Sequence, residues 1–214
     1  MINEQLQHLR GEYTKHSLDE KEVDKDPIVQ FNKWLNEALE TKIPEPNAMT
    51  LATVDSENKP HSRIMLLKGV DEDGFVFFTN YASNKGRELE HNPHASLCFL
   101  WLELERQVRI DGTVEKISQS ESEKYFKLRP YQSQLGALAS NQSEEIESRK
   151  FLENKISELE AKYPEGKVPK PESWGGYRLN PEAIEFWQGR GSRLHDRVKY
   201  ELVNGEWKIK RLSP

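Results

Sequence analysis

A short basic stretch, residues 186–197 with the sequence FWQGRGSRLHDR, holds the side chains best suited to chemistry. It carries three arginines and one histidine, and glycines at 189 and 191 allow the backbone to turn sharply. Guanidinium groups bind phosphates and carboxylates through paired hydrogen bonds, and an imidazole holds or moves a proton near neutral pH. Apolar runs at 183–187 and 198–202 flank the stretch. It is therefore either an anion-binding loop or the solvated tip of a hairpin.

A second candidate is the strand-like run RIMLLK at residues 63–68. Alternate residues of a strand face opposite sides, so Arg63 and Lys68 point to different faces. Two cations placed in this way are suited to two separate anionic groups. The structural alternative is a strand with charged ends.

Residues 78–87, FTNYASNKGR, have the pattern of a strand end that leads into a helix capped by Ser83. A helix start offers free backbone N–H groups and the positive end of the helix dipole. Thr79 and Lys85 add further donors, so the segment is suited to a phosphate, although many helix starts share this pattern.

Tyr125, Arg129 and Ser133 recur every four residues, and Pro130 interrupts the helix between them. They are expected to converge from a helix end and the loop that follows it. A phenol, a guanidinium and a hydroxyl all donate hydrogen bonds, as a phosphate dianion requires.

Composition excludes several classes of function. The chain has 214 residues, enough for one domain with a real core, and its net charge of -5 argues against nucleic-acid binding. Its single cysteine, Cys98, permits no intramolecular disulfide and no cysteine-based zinc site, and no metal is expected. The polar N-terminus lacks a secretory signal, and no apolar run approaches the roughly 20 residues that a membrane helix needs. We therefore expect a cytoplasmic protein that does not bind membranes.

The elements that must position these residues are both helical and extended. Residues 1–25 are predicted to form a mobile arm and residues 26–214 a single domain. Asp26 and Pro27 suit a helix start, with Ile28, Phe31, Leu35 and Leu39 on its apolar face. Further helices are predicted at residues 83–91, 120–128 and 143–163.

Strands are predicted at residues 48–54, 63–67, 75–79, 94–102, 107–117, 176–179, 183–187 and 194–202. Asn204-Gly205 then forms a hairpin turn into a strand at 207–209. Successive strands joined by short turns favour an antiparallel sheet, and so many short strands suggest a barrel. The pattern alone predicts an α+β chain that is mainly antiparallel β.

The motifs 187–197, WQGRGSRLHDR, and 207–214, WKIKRLSP, together with 63–68 and the ERQVR of 105–109, resemble the pyridoxine/pyridoxamine 5'-phosphate oxidase family. The resemblance runs from about residue 10 to residue 214. It implies an FMN-binding split barrel with flanking helices and a homodimer with both active sites at the subunit interface. It also implies oxidation of pyridoxine 5'-phosphate or pyridoxamine 5'-phosphate to pyridoxal 5'-phosphate, with O2 as electron acceptor and H2O2 as product.

The resemblance also implies roles for individual residues. Arg193 and His195 are the catalytic pair, which orients the substrate and assists proton movement. The implied substrate contacts are Arg10, Tyr13, Lys68, Tyr125, Arg129, Ser133, Arg193 and His195. The implied FMN contacts are Arg63, Ile64, Met65, Leu66, Leu67, Lys68, Phe78, Thr79, Asn84, Lys85, Gln107, Gln142, Ser143, Trp187 and Arg197.

Four of these positions differ from the family or are implied to act from the partner subunit. Asn84 stands where the family commonly has arginine, and Phe78 where it often has tyrosine. Gln142 and Ser143 are implied to reach FMN from the other subunit. Two alternatives remain open: an FMN split-barrel oxidoreductase acting on a different substrate, and a non-catalytic protein that stores or delivers flavin or pyridoxal phosphate.

Overall fold

The computed structural model describes residues 2–8 and 11–214. The chain divides into two compact units. The first unit comprises residues up to Thr50 together with Ser96–Asp111 and Pro181–Pro214. The second unit comprises Leu51–Ala95 and Gly112–Asn180.

The described residues contain six α-helices. They are α1 Ile2–His8, α2 Pro27–Glu40, α3 Asn84–His91, α4 Gln119–Leu128, α5 Tyr131–Ala139 and α6 Arg149–Lys162. Two 3-10 turns lie at Leu102–Leu104 and Gly191–Arg193. The predicted caps Asp26 and Ser83 are confirmed, since each side chain accepts a backbone N–H of the first helical turn.

Three helical predictions need correction. The buried face of α2 includes Ile28, Phe31, Trp34 and Ala38, whereas Leu39 is 55% exposed. Helix α6 begins at residue 149, not 143, because Ser148 caps it and the backbone at Ser143 has a positive φ of 77°. A loop was expected after Pro130, whereas Tyr131–Ala139 form helix α5.

Nine strands form one sheet. They are β1 Ala48–Val54, β2 Pro60–Leu66, β3 Gly69–Asp71, β4 Gly74–Asn80, β5 His94–Trp101, β6 Arg106–Lys116, β7 Trp174–Gln188, β8 Asp196–Val203 and β9 Glu206–Leu212. The order is β2-β1-β5-β6-β7-β4-β3, and β8 pairs with both β7 and β9. The pairings β3–β4, β4–β7, β7–β8 and β8–β9 are all antiparallel.

The β8–β9 hairpin confirms the Asn204-Gly205 turn, where φ is 53° and 80°. Positive φ at both central residues is the conformation that matches the twist of the flanking strands. Two expected strands, 176–179 and 183–187, are parts of the single strand β7. The short strand β3 was not predicted from the sequence.

Each unit has its own apolar core. In the first unit the Trp34 ring packs edge-on against Phe186 at 5.2 Å, and Phe186 packs against Tyr200 at 5.5 Å. The buried Arg106 lies over the Trp34 ring at 4.3 Å and pairs with Glu37. In the second unit Phe75 and Phe77 on β4 and Leu179 on the paired strand β7 are fully buried. Among the described residues, no helix is long and apolar enough to cross a membrane.

Candidate functional site

A cavity of about 400 Å³ opens in the second unit and is called the Arg129 cavity below. Its walls bring together residues expected to bind the substrate and residues expected to bind the cofactor. The first set contributes Arg129 and Ser133, and the second contributes Met65, Phe78, Thr79 and Gln142. Strand β4, the junction of α4 with α5, and the segment after α5 therefore meet at one site.

Arg129 brings a positive charge to the wall of this cavity. It ends α4, and Pro130 redirects the chain into α5, so Arg129 and Ser133 face the same space. The guanidinium carbon lies 4.7 Å from the centre of the Trp174 ring. Its Nη1 atom is buried and has no hydrogen-bond partner among the described residues. Burial lowers the pKa of this guanidinium. A buried unpaired donor is costly, so the arrangement favours an anionic ligand.

Three near-parallel aromatic rings line or support the same cavity. Phe78 stacks on Tyr125 with ring centres 4.0 Å apart and on Trp174 at 5.3 Å. Phe78 and Trp174 lie on the cavity wall. Burial raises the pKa of the Tyr125 phenol, which therefore remains a hydrogen-bond donor at neutral pH. The rings offer a flat apolar surface to a planar ligand.

The start of α3 holds a buried ammonium group. Lys85 is 7% exposed, and its Nζ lies 3.3 Å from Thr79 Oγ1 and 3.5 Å from Ser83 Oγ. Burial, followed by the nearby charge of Arg63, lowers the pKa of Lys85. Because both hydrogen-bond partners are neutral hydroxyls, a phosphate at this helix start would supply the missing negative charge.

The segment after α5 reaches the same place. The Thr79 hydroxyl donates to Gln142 Oε1 at 3.4 Å, and the Asn84 N–H donates to Ser143 Oγ at 3.2 Å. The chain itself thus brings these two side chains to β4 and α3, whereas the resemblance implied a partner subunit. The side-chain oxygen Oδ1 of Asn84 accepts a hydrogen bond from Arg87 Nη2 at 2.6 Å.

The run at 63–68 is only partly directed toward the cavity. Met65 lines it. The Arg63 guanidinium instead donates to Glu88 at 3.0 Å and to the Thr53 hydroxyl. Lys68 is exposed, and its backbone N–H donates to Val76 O at 2.8 Å. Lys68 therefore does not line the Arg129 cavity in this structure, and neither do Ile64, Leu66 and Leu67.

The first unit contains a second cavity, of about 660 Å³, called the His195 cavity below. Tyr13, Trp187, Arg193 and His195 line it, as do Gly11, Glu12, Arg190 and Ser192. The His195 Nδ1 atom accepts the Arg190 N–H at 3.1 Å. In the neutral imidazole the proton consequently lies on Nε2.

The strand predicted at residues 194–202 begins two residues later in the structure, so His195 lies outside it. Gly191–Arg193 forms a 3-10 turn, and β8 begins only at Asp196. Ser192 and Arg193 have φ values of 55° and 62°, a left-handed backbone that a strand does not contain. The turn still places Arg193 and His195 at one cavity and leaves Leu194 69% exposed.

The remaining expected site residues lie elsewhere. Arg197 donates to both carboxylate oxygens of Glu185, at 2.8 and 3.0 Å. Gln107 is half-buried on β6, and neither it nor Arg197 lines the His195 cavity. Arg10 lies outside the described residues. Within the described ranges, no cluster of His, Cys, Asp or Glu could hold a metal ion.

Sequence reasoning missed Trp174 and Glu105. Trp174 supports Arg129 from the start of β7, and Glu105 contacts the segment that carries Tyr13. A lone aromatic or acidic residue has no periodic or spacing signal, so neither could be identified without tertiary contacts.

Comparison with known proteins identifies the family. Residues 35–163 match the pyridoxamine 5'-phosphate oxidase family model. Residues 174–214 match the model of the pyridoxine 5'-phosphate oxidase C-terminal dimerisation region. A protein of Nostoc punctiforme named pyridoxine/pyridoxamine 5'-phosphate oxidase is 58% identical, covering 96% of this chain and 97% of its own. One of the same name from Paraburkholderia phytofirmans is 56% identical, covering 98% and 99%.

Solved structures agree with this grouping. PhzG from Burkholderia lata, in complex with tetrahydrophenazine-1-carboxylic acid, is 33% identical with a TM-score of 0.89, covering 95% of this chain and all of its own. An FMN-binding protein of Nostoc punctiforme related to pyridoxamine 5'-phosphate oxidase has a TM-score of 0.71 at 19% identity, covering 86% and 97%, and supports the fold alone. The α+β fold, mainly antiparallel, is the split barrel with flanking helices, and these relatives point to an oxidase with a flavin cofactor. The chain belongs to the pyridoxine/pyridoxamine 5'-phosphate oxidase family.

Proposed function

We propose that this protein oxidises pyridoxine 5'-phosphate or pyridoxamine 5'-phosphate to pyridoxal 5'-phosphate, with FMN as cofactor, O2 as electron acceptor and H2O2 as product. The observation that carries the proposal is the buried, unpaired Nη1 of Arg129 in a cavity walled by aromatic rings. A phosphate would pair that donor, and a planar ring would lie against the aromatic wall. The relatives that are 54–58% identical and share this name support the same substrates.

Arg129, Ser133 and Tyr125 are proposed to bind the substrate phosphate. Arg129 contributes the charge, while the two hydroxyl groups contribute neutral donors. Lys68 is proposed as a fourth donor, although it stands outside the cavity in the described chain. Arg10 and Tyr13 are proposed to cover the substrate from the N-terminal side.

The described residues fit an FMN phosphate at the start of α3. Lys85 is a buried cation whose hydrogen-bond partners among the described residues are the hydroxyls of Thr79 and Ser83, which supports a phosphate at this helix start. Arg63, Thr79, Asn84, Gln142 and Ser143 are the remaining proposed contacts in that region. When bound, FMN supplies the hydride acceptor and passes the electrons to O2. Residues 64–68, Phe78, Gln107, Trp187 and Arg197 are proposed to contact the rest of the cofactor.

Arg193 and His195 are proposed to orient the reacting end of the substrate. The Arg193 guanidinium is exposed on its turn and can donate to an oxygen of the substrate. With Nδ1 occupied by the Arg190 N–H, His195 presents Nε2 for holding or moving a proton. In the balanced reaction the alcohol and O2 give the aldehyde and H2O2. For the amine, a water molecule is also consumed and ammonia is released.

We further propose a homodimer. The match of residues 174–214 to a dimerisation region supports it. The low apolar share of the sequence, 35%, agrees with a core that a second subunit completes.

The test is oxygen consumption by the flavin-loaded protein with a panel of substrates. Pyridoxine 5'-phosphate and pyridoxamine 5'-phosphate should each yield pyridoxal 5'-phosphate and an equal amount of H2O2. Turnover only with a tetrahydrophenazine carboxylic acid would instead favour a different flavin oxidoreductase, since the similar PhzG structure contains that compound. No turnover with any member of the panel would favour the storage or delivery alternative.

A further inference from the structure

One carboxylate oxygen holds the segment that carries Tyr13. Glu105 Oε2 accepts the backbone N–H of Thr14 at 2.9 Å and that of Lys15 at 3.0 Å. The Lys15 ammonium also donates to the main-chain oxygen of Glu103 at 2.6 Å. Residues 13–15 are thus bonded to a turn about 90 positions later in the chain.

The backbone of Glu105 is itself fixed. Its φ is 56°, and its N–H donates to Leu102 O at 3.0 Å, which closes the 3-10 turn before β6. Its carbonyl oxygen accepts the Gly189 N–H at 2.7 Å and Gln188 Nε2 at 3.2 Å. Glu105 is therefore bonded to the end of β7, next to the loop that contains Arg193 and His195.

The bonds to Glu105 place Tyr13 at the His195 cavity. The Tyr13 ring meets Trp187 edge-on at 5.8 Å and His195 at 5.7 Å. Gly189 leaves room for this approach, since an added Cβ would lie 2.6 Å from Tyr13 Cγ and 3.1 Å from Glu105 Cβ. Tyr13 thereby closes one side of the cavity that Arg193 and His195 line.

We infer that Glu105 is a positioning residue for the proposed oxidation, because its carboxylate holds residues 13–15 so that Tyr13 covers the substrate beside His195. The inference rests on the proposed function for the identity of the substrate. The holding of residues 13–15 rests only on the contacts described above. Hydrogen bonds to a charged acceptor are stronger than those to a neutral one, so the carboxylate should hold residues 13–15 more firmly than an amide at this position.

The first experiment is limited trypsin digestion of the FMN-loaded protein, with cleavage after Lys15 as the readout. In Glu105→Ala the cleavage rate should rise about tenfold, since two charge-assisted hydrogen bonds at a partly exposed site are lost. Glu105→Gln keeps a neutral acceptor and should give an intermediate rate. Glu103→Gln is the matched control, because Glu103 accepts the Lys15 ammonium through its main-chain oxygen, which the substitution keeps, and it should match the wild type.

The second experiment measures steady-state kinetics with pyridoxine 5'-phosphate on the same variants. The KM should rise in the order wild type, Glu105→Gln, Glu105→Ala, reaching about three- to tenfold, with a smaller fall in kcat. Bound FMN and the thermal midpoint should stay close to wild type. A general loss of structure would instead lower both. If Glu105→Ala folds poorly, Glu105→Gln alone still decides the result.

The outcomes separate the inference from the proposed function. An unchanged cleavage rate after Lys15 in both Glu105 variants would show that the carboxylate does not hold this segment. Faster cleavage with an unchanged KM would overturn the positioning role. Absence of turnover in the wild type would refute the proposed function and the positioning role together, while the cleavage series would still show whether Glu105 holds residues 13–15.

Discussion

Replacing Arg129 with alanine tests the phosphate assignment. In the described chain the Arg129 Nη1 is buried without a partner, and a substrate phosphate would pair it. A hydrogen bond to a charged group contributes about 1.5–3 kcal/mol. Because about 1.4 kcal/mol corresponds to a factor of ten, the KM for pyridoxine 5'-phosphate should rise about 10- to 100-fold. Affinity for FMN should change little.

The same substitution should not destabilise the free protein. Removing the arginine loses its stacking on Trp174, a contact type that contributes about 0.5–1 kcal/mol at exposed sites and about 2 kcal/mol when desolvated. It also relieves a buried unpaired donor, whose cost is about 1–3 kcal/mol. Because the two contributions are of similar size, the unliganded variant should melt close to the wild-type temperature, whereas the rise in melting temperature caused by the substrate should shrink.

The assay compares phosphorylated and unphosphorylated pyridoxine on the wild type, Arg129→Ala and Lys127→Ala. Lys127 is an exposed lysine on the same helix, so its variant controls for the loss of one positive charge. Unphosphorylated pyridoxine should be a poor substrate and should distinguish little between the three proteins. An unchanged KM in Arg129→Ala, or a loss of FMN that parallels the loss of substrate affinity, would refute the reasoning.

Three further predictions concern the cofactor, the reacting end and the assembly. Burial lowers the pKa of Lys85 below its ordinary 10.5. Above about pH 7, where a phosphate monoester is fully ionised, FMN affinity should therefore fall as the pH rises through that lowered value. Over the same range the affinity of Lys85→Arg should stay flat, and that of Lys85→Ala should be weak throughout. A fall of the same size in Lys85→Arg would contradict the assignment. Arg193→Ala should slow reduction of the bound flavin and weaken substrate binding about 10- to 100-fold, while the FMN content stays normal. Loss of flavin, with normal turnover after reconstitution, would contradict the proposed role of Arg193 at the substrate. Light scattering at micromolar concentration should give a dimer mass, as expected for an interface above about 2,000 Å², and a flavin-loaded monomer would exclude it.

The sequence predicted those elements whose determinants are local. Asp26 and Ser83 cap their helices because a short polar side chain can accept N–H groups two or three residues later. Asn204-Gly205 forms its turn because both residues tolerate a positive φ. Tyr125, Arg129 and Ser133 gather around one cavity and its aromatic wall because Pro130 redirects the chain between α4 and α5.

Tertiary contacts determined what the sequence could not predict. Helix α6 begins at residue 149, later than predicted, because Ser148 caps it. The predicted cap, Ser143, instead accepts the Asn84 N–H through its hydroxyl. Arg193 adopts a left-handed backbone that no propensity favours for arginine. The ion pair between Arg63 and Glu88 joins β2 to α3, and no spacing of residues in the sequence predicts it.

The most direct test of the central claim is the visible spectrum of the flavin-loaded protein without oxygen. Adding pyridoxine 5'-phosphate should bleach the absorbance of the oxidised flavin and produce an equal amount of pyridoxal 5'-phosphate. Admitting O2 should then restore the absorbance and release H2O2. A spectrum unchanged by both pyridoxine 5'-phosphate and pyridoxamine 5'-phosphate, in a protein that retains its FMN, would contradict the account.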